Sequence, residues 1–140
     1  MGKASGEGTN ESFPVFFASQ YMFFHYLQMC RVLHKNAALM KARSIGFSEI
    51  NASLAARLYT TIKRSRTMIT CFKDTYLNGT FSKLDHALTF INTNADGFFK
   101  PRLTDKALEK KSGYQVKIDG QFTDFGWRSV VIGINGSKPS

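Results

Sequence analysis

The sequence predicts a mainly α-helical protein that ends in a β-hairpin, and three observations carry that expectation. Residues 13–30 form a charge-free, aromatic-rich run. From Ser48 to Leu77 the apolar residues Ile50, Leu54, Leu58, Ile62, Ile69, Phe72 and Tyr76 advance by three, four or seven, which draws one helical face. Near the C-terminus Tyr114, Val116 and Ile118 alternate ahead of Asp119-Gly120, a strong hairpin turn signal. The expected order is an aromatic N-terminal helix, a long basic amphipathic helix, short helices and a C-terminal hairpin. As domains these are a polar arm over 1–12, a membrane or interface helix over 13–34, a basic helical region over 35–112, and the hairpin with its tail over 113–140.

In the first element, Pro14 follows Ser12, a candidate cap, and a proline is tolerated in a first turn. The 18-residue run would extend about 27 Å as a helix, near bilayer thickness, so a helix is expected from about 14 to 34. Ser19, Gln20, His25 and Gln28 interrupt it, and its apolar content is aromatic, which lowers its hydropathy below that of an ordinary span. Apolar residues fall on more than one face. Such a helix is covered by partner subunits or by lipid, and Phe16, Phe17, Phe23, Phe24 and Leu27 are its candidate contact residues.

Residues 36–45 read as a short helix closed by Gly46. In the third element Ser48 is the expected N-cap and Asn78-Gly79 the stop. Its cations Arg57, Lys63, Arg64, Arg66 and Lys73 straddle the apolar face and form a candidate basic contact surface, their stems covering apolar area while their heads meet acidic groups. Short helices are then expected after Ser82 and over 104–113. The last strand is expected within 127–134, with a bulge at Gly126 because Phe122, Phe125 and Trp127 do not keep one register.

Charge is concentrated in the middle of the chain. The net charge is +9, of which residues 31–73 hold nine cations against Glu49 alone. A surface of that kind faces anionic lipid, acidic protein or, as the alternative, RNA. Two cysteines exclude a disulfide scaffold. Four N-x-Ser/Thr sequons, at Asn10, Asn51, Asn78 and Asn135, would need export to be used, and the N-terminus lacks the apolar core of a secretory signal.

No catalytic residues, metal or cofactor are expected. The sequence has no nucleophile elbow, phosphate-binding Gly-rich loop or dinucleotide fingerprint. Cys30, His34, Cys71 and His86 lack the close Cys pairs of structural zinc sites. Asp85 and His86 are neighbours that a helix would point apart. Asn92, Asn94, Asp96 and Gly97 resemble the start of a calcium loop, but Leu103 stands where a bidentate Glu is required, so a turn is expected.

The segment Ala56-Arg57-Leu58-Tyr59-Thr60-Thr61-Ile62-Lys63-Arg64, with Phe72 downstream, resembles the Leu-Tyr-Arg segment of mitochondrial LYR-motif proteins, with Thr60 at the third motif position. That resemblance implies a small basic helical protein with an accessory role in respiratory complexes or iron–sulfur assembly, docking an acyl carrier protein. The function expected from the whole chain is a non-catalytic accessory subunit of a large membrane-associated complex, a mitochondrial respiratory or ATP synthase complex, at the inner membrane or its matrix face. Its partners are other subunits of the assembly and anionic lipid. The alternatives are a small basic protein of a mitochondrial ribosome or other ribonucleoprotein, and an LYR-like accessory or assembly protein.

Overall fold

The structure is a computed structural model that describes residues 17–41, 46–96 and 99–137. The chain divides into two compact units, Met1–Ala42 and Arg43–Ser140.

In the first unit, helix α1 runs from Ala18 to Val32. Phe17 is extended and its N–H donates to Gln20 Oε1 at 3.0 Å, so the helix begins later than the expected residue 14. Residues 14–16 lie outside the described residues. The helix ends because His34 adopts a left-handed φ of 52°, which turns the Lys35 N–H back to Cys30 O and the His34 N–H to Arg31 O. The chain then folds back over 35–41 without helix, contrary to the short helix expected from 36. The Tyr26 hydroxyl holds this return, donating to Ala38 O and accepting from Ala38 N.

The second unit corrects the mainly-α expectation. It contains α2 (Phe47–Thr61), β1 (Arg66–Cys71), α3 (Asp74–Asn94), β2 (Arg102–Lys106), β3 (Glu109–Ser112), β4 (Tyr114–Ile118), β5 (Gln121–Phe125) and β6 (Val130–Asn135). A four-stranded mixed sheet has the order β1-β6-β3-β2, and β4-β5 form a two-stranded sheet. Only β1 and β6 are parallel; β6-β3 and β3-β2 are antiparallel.

The long helix expected from Ser48 to Leu77 is therefore three elements. Gly46 at φ 72°, rather than Ser48, caps α2. The helix stops at Thr61, where consecutive β-branched residues lose side-chain freedom in a helix. Residues 66–71, RTMITC, alternate exposed and half-buried and enter the sheet. Asn78-Gly79 does not stop α3, because Leu77, Phe81, Leu84 and Leu88 at helical spacing all bury across it. Residues 104–113 form most of the β2-β3 hairpin instead of a helix. An isolated helix of that length is marginal in water, whereas here both strands gain ladder partners.

The core lies between the two helices and one face of the four-stranded sheet. Ala52, Ala55, Ala56 and Tyr59 of α2 meet Leu77, Phe81, Leu84 and Leu88 of α3 over Val131 of β6, with Ile69 and Cys71 of β1 at its margin. Gly133 lets Phe81 approach, since a Cβ there would stand 2.8 Å from the ring. On the opposite sheet face Met68, Ile132 and Ile134 are exposed.

The C-terminal hairpin forms as expected, with Tyr114 opposite Phe125 and Ile118 opposite Gln121. Asp119 and Gly120 both have positive φ, 51° and 82°, the signature of a type I′ turn. Chain continuity makes β4-β5 an extension of the β3-β6 ladder. The two ladders are out of step at Gly126–Arg128, where the irregular register was expected. Gly113 belongs to the same kink; its φ is 132° and a Cβ would stand 2.5 Å from Phe125 O.

Candidate functional site

The expected contact residues of the aromatic helix separate into two groups. Phe16 lies outside the described residues, and Phe17 is exposed. Phe23, Phe24 and Leu27 are half-buried, on the side of α1 that carries buried Cys30. Besides Phe17, the apolar residues Tyr21, Met22, Met29, Val32 and Leu33 are open to solvent. They share the exposed half of α1 with His25 and Gln28, and Arg31 is the helix's one charged residue. Among the described residues, no helix is long and apolar enough to cross a membrane.

The expected basic surface does not lie along one helix. Arg57 is on α2, Lys63 and Arg64 form the turn after it, Arg66 opens β1, and Lys73 caps α3. All five are exposed, and none forms an ion pair among the described residues. Arg64 is held at a positive φ of 61° by its N–H bond to Trp127 O, and Arg128 beside that tryptophan also has φ 61°. Trp127 ties this corner to the helix layer: its Nε1–H donates to Tyr59 O at 3.0 Å, and the Lys100 ammonium sits 4.5 Å from its ring centre.

A second cluster, not foreseen from the sequence, lies on the helix side of β2 and β3. Arg102 Nη1 reaches Asp85 Oδ1 at 2.9 Å and Asp105 Oδ2 at 2.8 Å. The Lys110 ammonium reaches Asp85 Oδ1 at 3.2 Å and also pairs with Asp105. A bulge between Arg102 and Thr104 lets both Arg102 and Asp105 face inward beside Lys110. Lys110 holds the Asp105 carboxyl below its ordinary range, with Arg102 adding to the effect. Burial opposes the charge on Arg102, but the two carboxylates outweigh it and raise its pKa. Nearby, burial pushes the Tyr59 phenol up to about 12. Its hydroxyl makes no hydrogen bond among the described residues.

Arg102 and Asp105 also line a shallow cleft of about 520 Å³ with Thr89, Asn92, Thr93 and Phe99. The ionic groups of the cluster are already matched, Arg102 and Lys110 against Asp85 and Asp105, so it fixes β2 and β3 to α3. A carboxylate held ionised by two cations is a poor proton acceptor, and this one suits structure better than acid–base chemistry.

The remaining sequence candidates do not converge. Asp85 faces Arg102 and Lys110, while His86 is exposed. Cys30 is in α1 and His34 lies beyond its end, and Cys71 borders the core of the second unit. Among the described residues no group of three or more His, Cys, Asp or Glu is placed to hold a metal. Asn92 and Asn94 of the calcium-like stretch belong to α3, and Asp96 to the turn after it. The segment resembling the LYR motif spans the end of α2 and the following turn, with Phe72 beyond a strand, so the helical fold that the resemblance implies is not the one adopted. The chain matches no protein-family model, no curated protein and no solved structure.

Proposed function

We propose that this chain is a non-catalytic accessory subunit of a large membrane-associated assembly, a mitochondrial respiratory or ATP synthase complex being the specific form of the proposal. The observation that carries this reading is the uncovered half of α1. Tyr21, Met22, Met29 and Val32 are exposed along the 15-residue helix, with Leu33 at its C-cap and Arg31 as the helix's one charged residue, and apolar exposure of this kind marks contact with protein or lipid. The internal pairing of Arg102, Lys110, Asp85 and Asp105 supports it from the second unit, because those charges are committed to holding strands on a helix.

The test is native purification from the source with a mild detergent, followed by identification of stoichiometric companions. Replacing Tyr21, Met22 and Met29 together with Ser should strip the chain from its assembly. Recovery of the substituted chain at full stoichiometry in the same complex would end this reading.

The ribonucleoprotein alternative draws on Lys63, Arg64 and Arg66, three exposed cations at one corner. Recovery of one defined RNA at moderate salt, lost when these three become Ala, would establish it over the accessory-subunit reading.

A further inference from the structure

The two edges of the four-stranded sheet are built differently. The β2 edge is bulged between Arg102 and Thr104 and turns charged side chains inward, devices that discourage further pairing. The β1 edge has neither. It pairs with β6 in unbroken register over all six residues, and its β-branched content suits an extended ladder.

The bonds from Val130 N to Ser65 O and from Gly136 N to Cys71 O set the parity of the parallel pair. Residues 65, 67, 69 and 71 turn their backbone groups toward β6. Arg66, Met68 and Thr70 therefore present N–H and C=O outward, and among the described residues no strand pairs with them. Their side chains stand exposed on the open sheet face, in line with Ile132 and Ile134.

Charge singles out the same strand. Between Glu49 and Asp74 the chain carries no acidic residue, and Lys63, Arg64, Arg66 and Lys73 flank β1 at both ends. On the far side of the sheet the cations are opposed: Lys110 by Asp105 and Asp85, Lys106 by Glu109, Lys111 by Asp124.

We propose that the outer edge of β1 docks an extended, acidic segment of a partner protein as a fifth strand. The backbone groups of Arg66, Met68 and Thr70 supply the ladder, Met68 and the neighbouring isoleucines an apolar floor, and the flanking cations the selection for acid. A nucleic acid would meet the cations but leave the ladder groups unused. This docking surface uses residues of the second unit and none of α1, so either can fail without the other.

The experiment uses the full chain in mild non-ionic detergent and a labelled synthetic peptide of alternating Val and Glu, long enough to pair six residues. Saturable binding is expected, with slowed hydrogen exchange at the amides of Arg66, Met68 and Thr70. Met68→Pro removes an outward donor that β6 does not use, so it should abolish binding while leaving the ladder to β6 in place. Arg66→Glu with Lys73→Glu, which spares the backbone, should weaken binding about tenfold or more.

Four results would each overturn the proposal. They are equal binding of a proline-interrupted peptide of the same charge, binding without protection of those three amides, tighter binding of an RNA homopolymer that Lys63→Ala, Arg64→Ala and Arg66→Ala together remove, and peptide binding only after residues 1–16 are deleted. The last would assign the edge to the chain's own N-terminal segment.

Discussion

Single atoms decide several positions in this fold. A methyl at Gly133 would stand 2.8 Å from the Phe81 ring, and Phe81 is itself wedged among Leu77, Leu84 and Val131. Gly133→Ala should therefore destabilise by about 1–3 kcal/mol through overpacking, read as a lowered denaturation midpoint with an unchanged slope. Asp105 gives a pH-dependent case. Its folded pKa lies below the unfolded value, so the stability it contributes is present above the ordinary carboxylate range and is lost as the pH falls through the folded pKa. Asp105→Asn should cost about 1–2 kcal/mol at neutral pH, modest because the carboxylate is partly exposed, and the gap to wild type should close below about pH 4. A gap that stayed constant down to pH 2 would show that the ion pairs contribute nothing. Neither position stood out in the sequence, since Asp85, Arg102, Asp105 and Lys110 have no local spacing that announces contact; the β2 bulge and the packing of α3 create it.

Among the elements, α3 gives the clearest test of why local signals failed. Asn78-Gly79 reads as a helix stop, yet it lies one turn into a 21-residue helix, and a side chain at Gly79 would meet nothing within 4 Å. Gly79→Ala should then stabilise by about 0.5–1 kcal/mol, measured as a raised melting temperature, whereas a true stop would lose stability on the same change. The opposite error occurred at 66–71. Ile62, Ile69, Phe72 and Tyr76 advance by seven, three and four, the spacing of a helical face, but only Ile69 of these lies in β1, so the apparent face was drawn from residues of separate elements. The signal of a strand was present in Thr60-Thr61-Ile62 and Thr67-Met68-Ile69-Thr70, runs that favour strand over helix. By contrast the Asp119-Gly120 turn was legible, because its requirement for positive φ is met by those two residues alone, without help from the core.

At the scale of the whole molecule, the isolated chain should self-associate, because the exposed half of α1 and the apolar residues of β4-β5, Tyr114, Val116, Ile118 and Phe122, lack cover among the described residues. Sedimentation in detergent-free buffer should show oligomers, shifted toward monomer when Tyr21, Met22, Met29 and Val32 become Ser; a monodisperse wild-type monomer would contradict this. By itself, the sequence determined features that arise within a few residues: a helix in the aromatic run, the hairpin at Asp119-Gly120, the irregular register at Gly126 and the concentration of cations in residues 31–73. Tertiary structure decided that residues 66–71, 102–106 and 109–112 pair into one sheet, that the four charges beside α3 meet, and that the cations flank an open sheet edge. The physical reason is that a strand gains its hydrogen bonds from partners far along the chain. β1 pairs with β6 across more than sixty residues, and no window of sequence short enough to show helical periodicity contains both.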